Sequence, residues 1–349
     1  MATGLTIAMI LATPGTGWGG MERHTVELAA ALAARGHRVH VLAHGAYQGR
    51  FPAAVTVHPL PLQLGRRNPW LRFRLQRTLR ALAPDITHAQ GNKGASLLTT
   101  ARRYAGATIG TVHGTKRSHT PFAKLEGVIA VSGDILATLP HPNKRLIHNG
   151  VAPPSEVAAT GATLVPIPQH RPIALAAGRL EPVKQFDRLI QAWVDAGVPG
   201  TLVILGEGSE RTRLTALINS LGVEDRVLLP GFEANTEAWL KAASACVISS
   251  RREGFPYILV EALLARCPVI ATPVSGVRDI LPPDFVAGSD NVDDLSRLLA
   301  RHLQAPQLLA EQQAATFGQA AATLTLDAMV KATERFYQQL IAQHSPAQQ

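Results

Sequence analysis

The stretch Ala245-Cys246-Val247-Ile248-Ser249-Ser250-Arg251-Arg252-Glu253-Gly254-Phe255-Pro256-Tyr257-Ile258-Leu259-Val260-Glu261-Ala262-Leu263-Leu264 decides the fold. It begins as an apolar, strand-like run over 245–249. A charged loop follows, and then a helix-like run over 256–264. Pro256 suits the first helical turn, where a missing N–H is no loss. The free N–H groups of a helix start make an anion site, and Glu253 and Glu261 stand to either side of it. Strand, loop and helix in succession form the repeating unit of a parallel sheet with helices on its faces.

The same unit recurs in both directions from there. In the first half the strand-like runs are 5–12, 38–43, 55–60, 85–88, 107–113 and 127–132, with helical spacing over 21–34 and 93–104. In the second half strands read at 173–177, 201–205, 226–229, 245–249 and 269–272, and helices at 185–196, 210–221 and 293–303. The tail 307–341 reads as helical throughout. Between the halves, 151–168 is rich in Pro, Ala, Gly and Thr and lacks periodicity, as a linker does. The expected architecture is two doubly wound, Rossmann-like parallel-sheet domains, 1–150 and 171–327, facing each other across a cleft and joined by a linker at 151–170. Such sheets bind ligands at the carboxyl ends of their strands.

The 349 residues contain no apolar run of 18 or more, so no membrane-spanning helix is expected. The start at 5–12 is too short for a signal peptide and has no basic segment before it. Cys246 and Cys267 are the only cysteines and lack metal-ligand spacing, which points to buried reduced thiols and a cytosolic setting. Charge is uneven. Residues 1–150 carry 18 Lys and Arg against 5 Asp and Glu, while the remainder carry 16 against 20. The first half is therefore expected to face something anionic: a phospholipid surface, a phosphorylated acceptor or nucleic acid.

Several loops can hold a ligand. Gly15, Gly17 and Gly20 satisfy the G-x-G-x-x-G spacing, but no acidic residue stands near the end of the second strand, so a nicotinamide or flavin site is disfavoured. Gly19 and Gly20 then allow close backbone approach to a ligand, or simply form a turn. Arg179 and Lys184 follow the strand 173–177. They can grip phosphate oxygens or stand as solvated cations. Glu253 and Glu261 should lie about 12 Å apart at Cα. A glycosidase pair holds its carboxyls at about 5–9.5 Å, so one carboxylate on a sugar and one on a ribose suits them better. His113, at the end of a strand, can hydrogen-bond a sugar hydroxyl or be structural. The segment 66–82 carries Arg66, Arg67, Arg72, Arg74, Arg77 and Arg80 around a stripe of Leu71, Leu75, Leu79 and Leu82. With Trp70 and Phe73 at the interface it can lie on an anionic membrane. Alternatively, its leucines pack on the sheet.

Taken together, these residues resemble glycosyltransferase family 4, retaining enzymes of the GT-B fold, and among them the bacterial lipopolysaccharide-core and other envelope-glycan transferases. The resemblance runs through Gly19-Gly20-Met21-Glu22-Arg23-His24, Arg35-Gly36-His37-Arg38-Val39, Thr111-Val112-His113-Gly114 and His148-Asn149-Gly150-Val151. It continues through Ala177-Gly178-Arg179-Leu180 with Lys184, Leu205-Gly206-Glu207-Gly208, Leu229-Pro230-Gly231-Phe232 and the Glu253–Glu261 segment. It implies that Arg179 and Lys184 bind a donor diphosphate, and that Gly254, Phe255 and Pro256 contact sugar and phosphate. Glu253 would hold the sugar hydroxyls, Glu261 the ribose diol, and His113 the transferred sugar. Gly19 and Gly20 would approach the diphosphate, with Gly231 and Phe232 lining the base pocket. It also implies no essential metal and no cofactor beyond the nucleotide-sugar. A glycolipid or lipid-linked glycan would be the acceptor, the setting the inner face of the membrane, and the final helix, 328–349, would return to the first domain. A nucleotide-sugar epimerase of the same fold and a basic nucleic-acid-binding protein are the competing readings. The second is disfavoured because the loops show no run of aromatics interleaved with cations.

Overall fold

The computed structural model describes residues 4–115, 118–153 and 171–344. The chain divides into two compact units, Met1–Asn149 with Leu326–Gln349, and Gly150–Thr325.

The first unit contains β1 (Thr6–Leu11), α1 (Gly20–Ala34), β2 (Arg38–Ala43), β3 (Val55–Pro59), α2 (Pro69–Leu82) and β4 (Ile86–Gln90). It continues with α3 (Gly91–Leu98), β5 (Ala107–Val112), β6 (Gly127–Ala130), α4 (Gly133–Thr138) and β7 (Lys144–Leu146). Its seven strands form one parallel sheet in the order β3-β2-β1-β4-β5-β6-β7. Ile7 pairs with Val39 on one side and Ile86 on the other. Every residue of β1 is buried, as a strand covered on both faces requires. Gly36, at φ +90°, ends the turn after α1 in a conformation that favours glycine.

The second unit contains β8 (Ile173–Ala177), α5 (Phe186–Asp195), β9 (Thr201–Leu205), α6 (Arg211–Leu221), β10 (Val227–Gly231), α7 (Thr236–Ala242) and β11 (Ala245–Ile248). After these come α8 (Tyr257–Leu264), β12 (Val269–Ala271), α9 (Val292–Leu303), α10 (Pro306–Gln312) and α11 (Ala314–Thr323). Its parallel sheet runs β10-β9-β8-β11-β12. Trp193, Leu189 and Ile190 of α5 pack with Leu295, Leu299 and Leu303 of α9 in one buried cluster. The last helix, α12 (Leu326–His344), belongs to the first unit. Its Met329, Val330, Phe336, Tyr337 and Leu340 share a core with Ile7, Leu28 and Ile109. Arg35 and His37 both hydrogen-bond Glu334 of this helix, at 2.8 and 2.9 Å.

Two expectations are corrected. The helix expected over 93–104 ends at Leu98, and 102–104 is a separate 3₁₀ turn. The hydroxyls of Thr99 and Thr100 bond back to the carbonyls of Ser96 and Leu97, which competes with helical continuation. The tail is three helices with breaks at Gln313 and near Leu324. Gln313 is fully buried and pairs its side-chain amide with both the N–H and the carbonyl of Val269, while the Leu324 carbonyl accepts from the Val151 amide. Each break thus turns a backbone or side-chain group toward another segment. The short α4 and β7 carry too little periodicity to be read from sequence. Of the expected linker, 154–170 lies outside the described residues.

Candidate functional site

In the second unit β8 has β9 on one side and β11 on the other, so the strand order reverses between β8 and β11. Ligands of open parallel sheets bind at the carboxyl ends of strands at such a reversal. The turn after β8 carries Arg179 and Lys184, and the loop after β11 carries Ser249 to Pro256. The two are stitched together. The Ser249 hydroxyl donates to the Lys184 carbonyl at 2.8 Å, and the Arg251 amide to the Val183 carbonyl at 2.9 Å. From beneath, the Thr272 hydroxyl donates to the Ser250 carbonyl at 2.7 Å.

This stitching brings side chains together. Lys184 Nζ donates to Glu253 Oε1 at 2.6 Å, and Ser250 Oγ donates to the same oxygen at 2.7 Å. The Lys184 and Glu253 side chains are 20% and 16% exposed, so the pair is largely enclosed yet reachable from water. Arg179 is exposed and makes no ion pair among the described residues. Gly254, Phe255 and Pro256 are all buried. Gly276 packs against them at φ +83°, where a Cβ would stand 2.4 Å from Phe255 Cδ2. That turn therefore requires glycine.

Pro256 is corrected by one position. It is the residue before the helix, at φ −66° and ψ 126°, and Tyr257 is the first helical residue. The extended ψ is that of an N-cap, and the early N–H groups of α8 follow directly. Glu261 sits half-buried one turn into α8, near enough to Cys246 to add to the burial that pushes that thiol up. Burial pushes Cys267 up to about 12, so both thiols stay protonated. Gly231 ends β10 and Phe232 beyond it is 75% exposed.

In the first unit the reversal falls between β1 and β4. The Gly19 amide donates to Glu22 Oε2 at 3.1 Å, so that N–H already serves its own helix; Gly20 opens α1. Tyr47 Oη donates to the Gly17 carbonyl at 2.7 Å and pins the glycine loop. His113 follows β5 and lies 2.7 Å from Gln90 Oε1 through its Nε2. The His24 ring meets it edge to face at 4.7 Å between centroids, and His24 Nδ1 lies 3.2 Å from Asn149 Oδ1. Burial lowers His24 to about 4. Burial, reinforced by His24 and His88, holds His113 well below the usual range. Both imidazoles are therefore neutral near pH 7.

Helix α2 presents two faces. Leu71, Leu75 and Leu79 are fully buried, while Trp70 and Phe73 are 54% and 52% exposed and stacked 5.9 Å apart. The Arg74 guanidinium lies 5.8 Å from the centre of the Trp70 ring. Arg66, Arg67, Arg77 and Arg80 are exposed and Arg72 is half-exposed.

Sequence reading missed Ser250, His24, Gln90 and Asn149. His24 and Asn149 lie in stretches that carry the family resemblance but had no role there, and Gln90 carries no signal of its own; each acquires its role from a partner distant in sequence. Ser250 acquires its role when the loop folds back on Glu253.

Two parallel-sheet α/β units, with the cationic and acidic side chains of the second at its strand reversal, define the GT-B class of fold. Residues 18–153 match the family described as Glycosyltransferase Family 4, and residues 165–322 the family described as Glycosyl transferases group 1. Both descriptions are of glycosyltransferases, and between them the two matches span most of the chain. It is 35% identical over 185 residues to a D-inositol 3-phosphate glycosyltransferase of Xylanimonas cellulosilytica, covering 48% of this chain and 44% of the relative. It is 33% identical over 121 residues to the lipopolysaccharide core biosynthesis glycosyltransferase LpsE of Rhizobium meliloti, covering 34% and 35%. The chain thus spans less than half the length of these curated relatives. Among solved structures, a glycosyltransferase of Rickettsia africae aligns with TM-score 0.81 at 18% identity, over 97% of this chain and 99% of that one. Anabaena HepE in complex with UDP aligns with TM-score 0.78 at 19% identity, over 96% and 100%. The family match lends no support to the epimerase and nucleic-acid readings.

Proposed function

We propose that this chain is a retaining glycosyltransferase that moves a sugar from a nucleotide-sugar, UDP-linked, to a hydroxyl of a lipid-linked or envelope glycan such as a lipopolysaccharide core. The observation that carries the proposal is the convergence of Lys184, Glu253 and Ser250 at the strand reversal, beside the N-terminus of α8. Cations and helix N–H groups there suit a leaving diphosphate, whose charge grows in the transition state. Arg179 and Lys184 would take the diphosphate, with Gly254, Phe255 and Pro256 beside it. Glu253 would hold sugar hydroxyls and Glu261 the ribose diol, with Gly231 and Phe232 beside the base. With these groups supplying the positive charge, the reaction needs no metal. A neighbour solved with UDP and a relative named for lipopolysaccharide core synthesis support the donor and acceptor chosen here.

The sugar leaves through an oxocarbenium-like state and the acceptor hydroxyl attacks from the face the diphosphate leaves. The departing phosphate oxygen takes the acceptor proton. The bond to the diphosphate breaks as the new glycosidic bond forms, and nucleoside diphosphate is released. The excess of cations in the first unit, with α2 at its surface, would hold the enzyme on the anionic inner face of a membrane, where such acceptors lie. The test is nucleotide release from a panel of UDP-, GDP- and ADP-sugars, with and without envelope lipid extract, in EDTA. Release dependent on the extract is expected. Release from no donor would overturn the proposal.

A further inference from the structure

We infer that Gln90 is a positioning residue for His113: its amide oxygen keeps the ring proton on Nε2 and leaves Nδ1 as a bare acceptor for a sugar hydroxyl. The hydroxyl part of this inference rests on the sugar-transfer reading above; the proton placement does not.

The geometry begins with register. Gln90 is the last residue of β4 and pairs with Thr111 of β5, so His113, two residues further on, leaves the sheet at the same edge. That edge adjoins the β1/β4 reversal, where ligands of such sheets bind. Gln90 is 1% exposed, an unusual fate for a long amide. Its oxygen faces His113 Nε2 at 2.7 Å, and its Nε2 has no partner among the described residues. A buried donor left unpaired is unfavourable, so packing alone does not account for an amide here. An imidazole whose Nε2–H is engaged by an oxygen carries its lone pair on Nδ1.

The neighbouring rings disfavour a charge on this one. His24 of α1 stands edge-on to it, His88 of β4 adds to the effect, and no carboxylate is among the groups that shift it. His88 is itself committed to the hydroxyls of Tyr337 and Thr111, at 2.6 and 2.7 Å. His113 is therefore an acceptor and not an acid. An acceptor of this kind recognises a group that donates, which a hydroxyl does and an ether or a fluorine does not.

The experiment is ¹⁵N NMR of the full chain with labelled histidine at pH 7, His113 being assigned by the signal lost in His113→Asn. A protonated Nε2 and a pyridine-like Nδ1 are expected. A protonated Nδ1, or an imidazolium, overturns the inference. Gln90→Leu should give a mixture of both tautomers, and Gln90→Glu, which sets a carboxylate against the ring, should protonate both nitrogens. Unchanged His113 shifts in both variants overturn the positioning role. UDP-glucose, GDP-mannose and ADP-glucose are then added in turn to the unaltered protein. A change in the Nδ1 shift with one of them is expected, and no change with any overturns the acceptor role. Where the panel finds a donor that turns over, Gln90→Leu should lower kcat/KM about 10²-fold. Nucleotide release from no donor, with the tautomer as stated, sinks the transferase reading and leaves the Gln90–His113 assignment standing.

Discussion

Glu253 takes two hydrogen bonds on one oxygen, from Lys184 and from Ser250. The consequence is directional. Oε1 is occupied by the protein, so under the proposed function Oε2 would be the oxygen left for a ligand, with its direction set by the Ser250 bond. Ser250→Ala should lower kcat by about 10–100-fold while leaving the melting temperature within a degree or two, measured by steady-state kinetics and calorimetry. Lys184→Ala should act more strongly, by about 10²–10³-fold, because it also removes a charge from the leaving diphosphate. It should also lower stability, by about 1–3 kcal/mol, because the largely enclosed Glu253 carboxylate loses its cationic partner. Glu253→Gln separates two chemistries. Same-face attack predicts a loss of about 10²-fold, as a carboxylate that only holds hydroxyls is replaced by an amide that still can. If Glu253 were itself the nucleophile, the substitution would abolish turnover, and a glycosyl ester on Glu253 could be trapped in the unaltered enzyme. At this scale the sequence was informative where a residue follows a strand closely, as Arg179 and Lys184 do. Ser250 stayed hidden because nothing marks a serine until its loop closes on a partner.

Helix α2 shows why one segment supported two readings. Its leucines at 71, 75 and 79 pack into the first unit, while Trp70, Phe73 and the arginines face outward. The core reading and the surface reading describe opposite faces of the same element, and substitutions should separate them. Leu75→Ala should destabilise the first unit by about 2–5 kcal/mol. Trp70→Ala with Phe73→Ala should leave stability within about 0.5 kcal/mol, as exposed substitutions do. The same pair should reduce binding to vesicles containing anionic lipid, read by co-sedimentation. Binding of the unaltered protein should fall steeply with salt; equal binding to neutral vesicles at high salt would defeat the electrostatic argument. The central strands were legible because both of their faces are covered, so they read as continuous apolar runs, while the exposed edge strand β7 did not. The tail was read too simply. Its apolar spacing continues across Gln313, and only the pairing of that buried amide with Val269 reveals the break.

Across the whole molecule, ionisable burial is unequal. The first unit encloses His24, His88 and His113, all neutral, with His24 lowered to about 4 and His88 to about 3 chiefly by burial. In an unfolded chain each would have a pKa near 6.5. The unfolded state therefore binds more protons than the folded one between those values, and stability must rise with pH across that window. The histidine contribution is complete above about pH 6.5. It is lost progressively as pH falls toward 4, by on the order of 1 kcal/mol per pH unit for each ring. In the second unit His302 is also lowered, mainly by burial, but it is a single ring among the described residues, against three in the first unit. The two units should consequently part company in acid. Hydrogen exchange at pH 7 and again at pH 5 should show protection lost first in β4 and β5, where His88 and its neighbours sit, while β8 and β9 remain protected. Replacing His88 by Gln, which keeps a polar partner for Tyr337 and Thr111 but cannot be protonated in this range, should flatten the acid dependence of the first unit. Equal loss of protection in both sheets would show that acid acts through carboxylates shared across the chain and not through the buried rings.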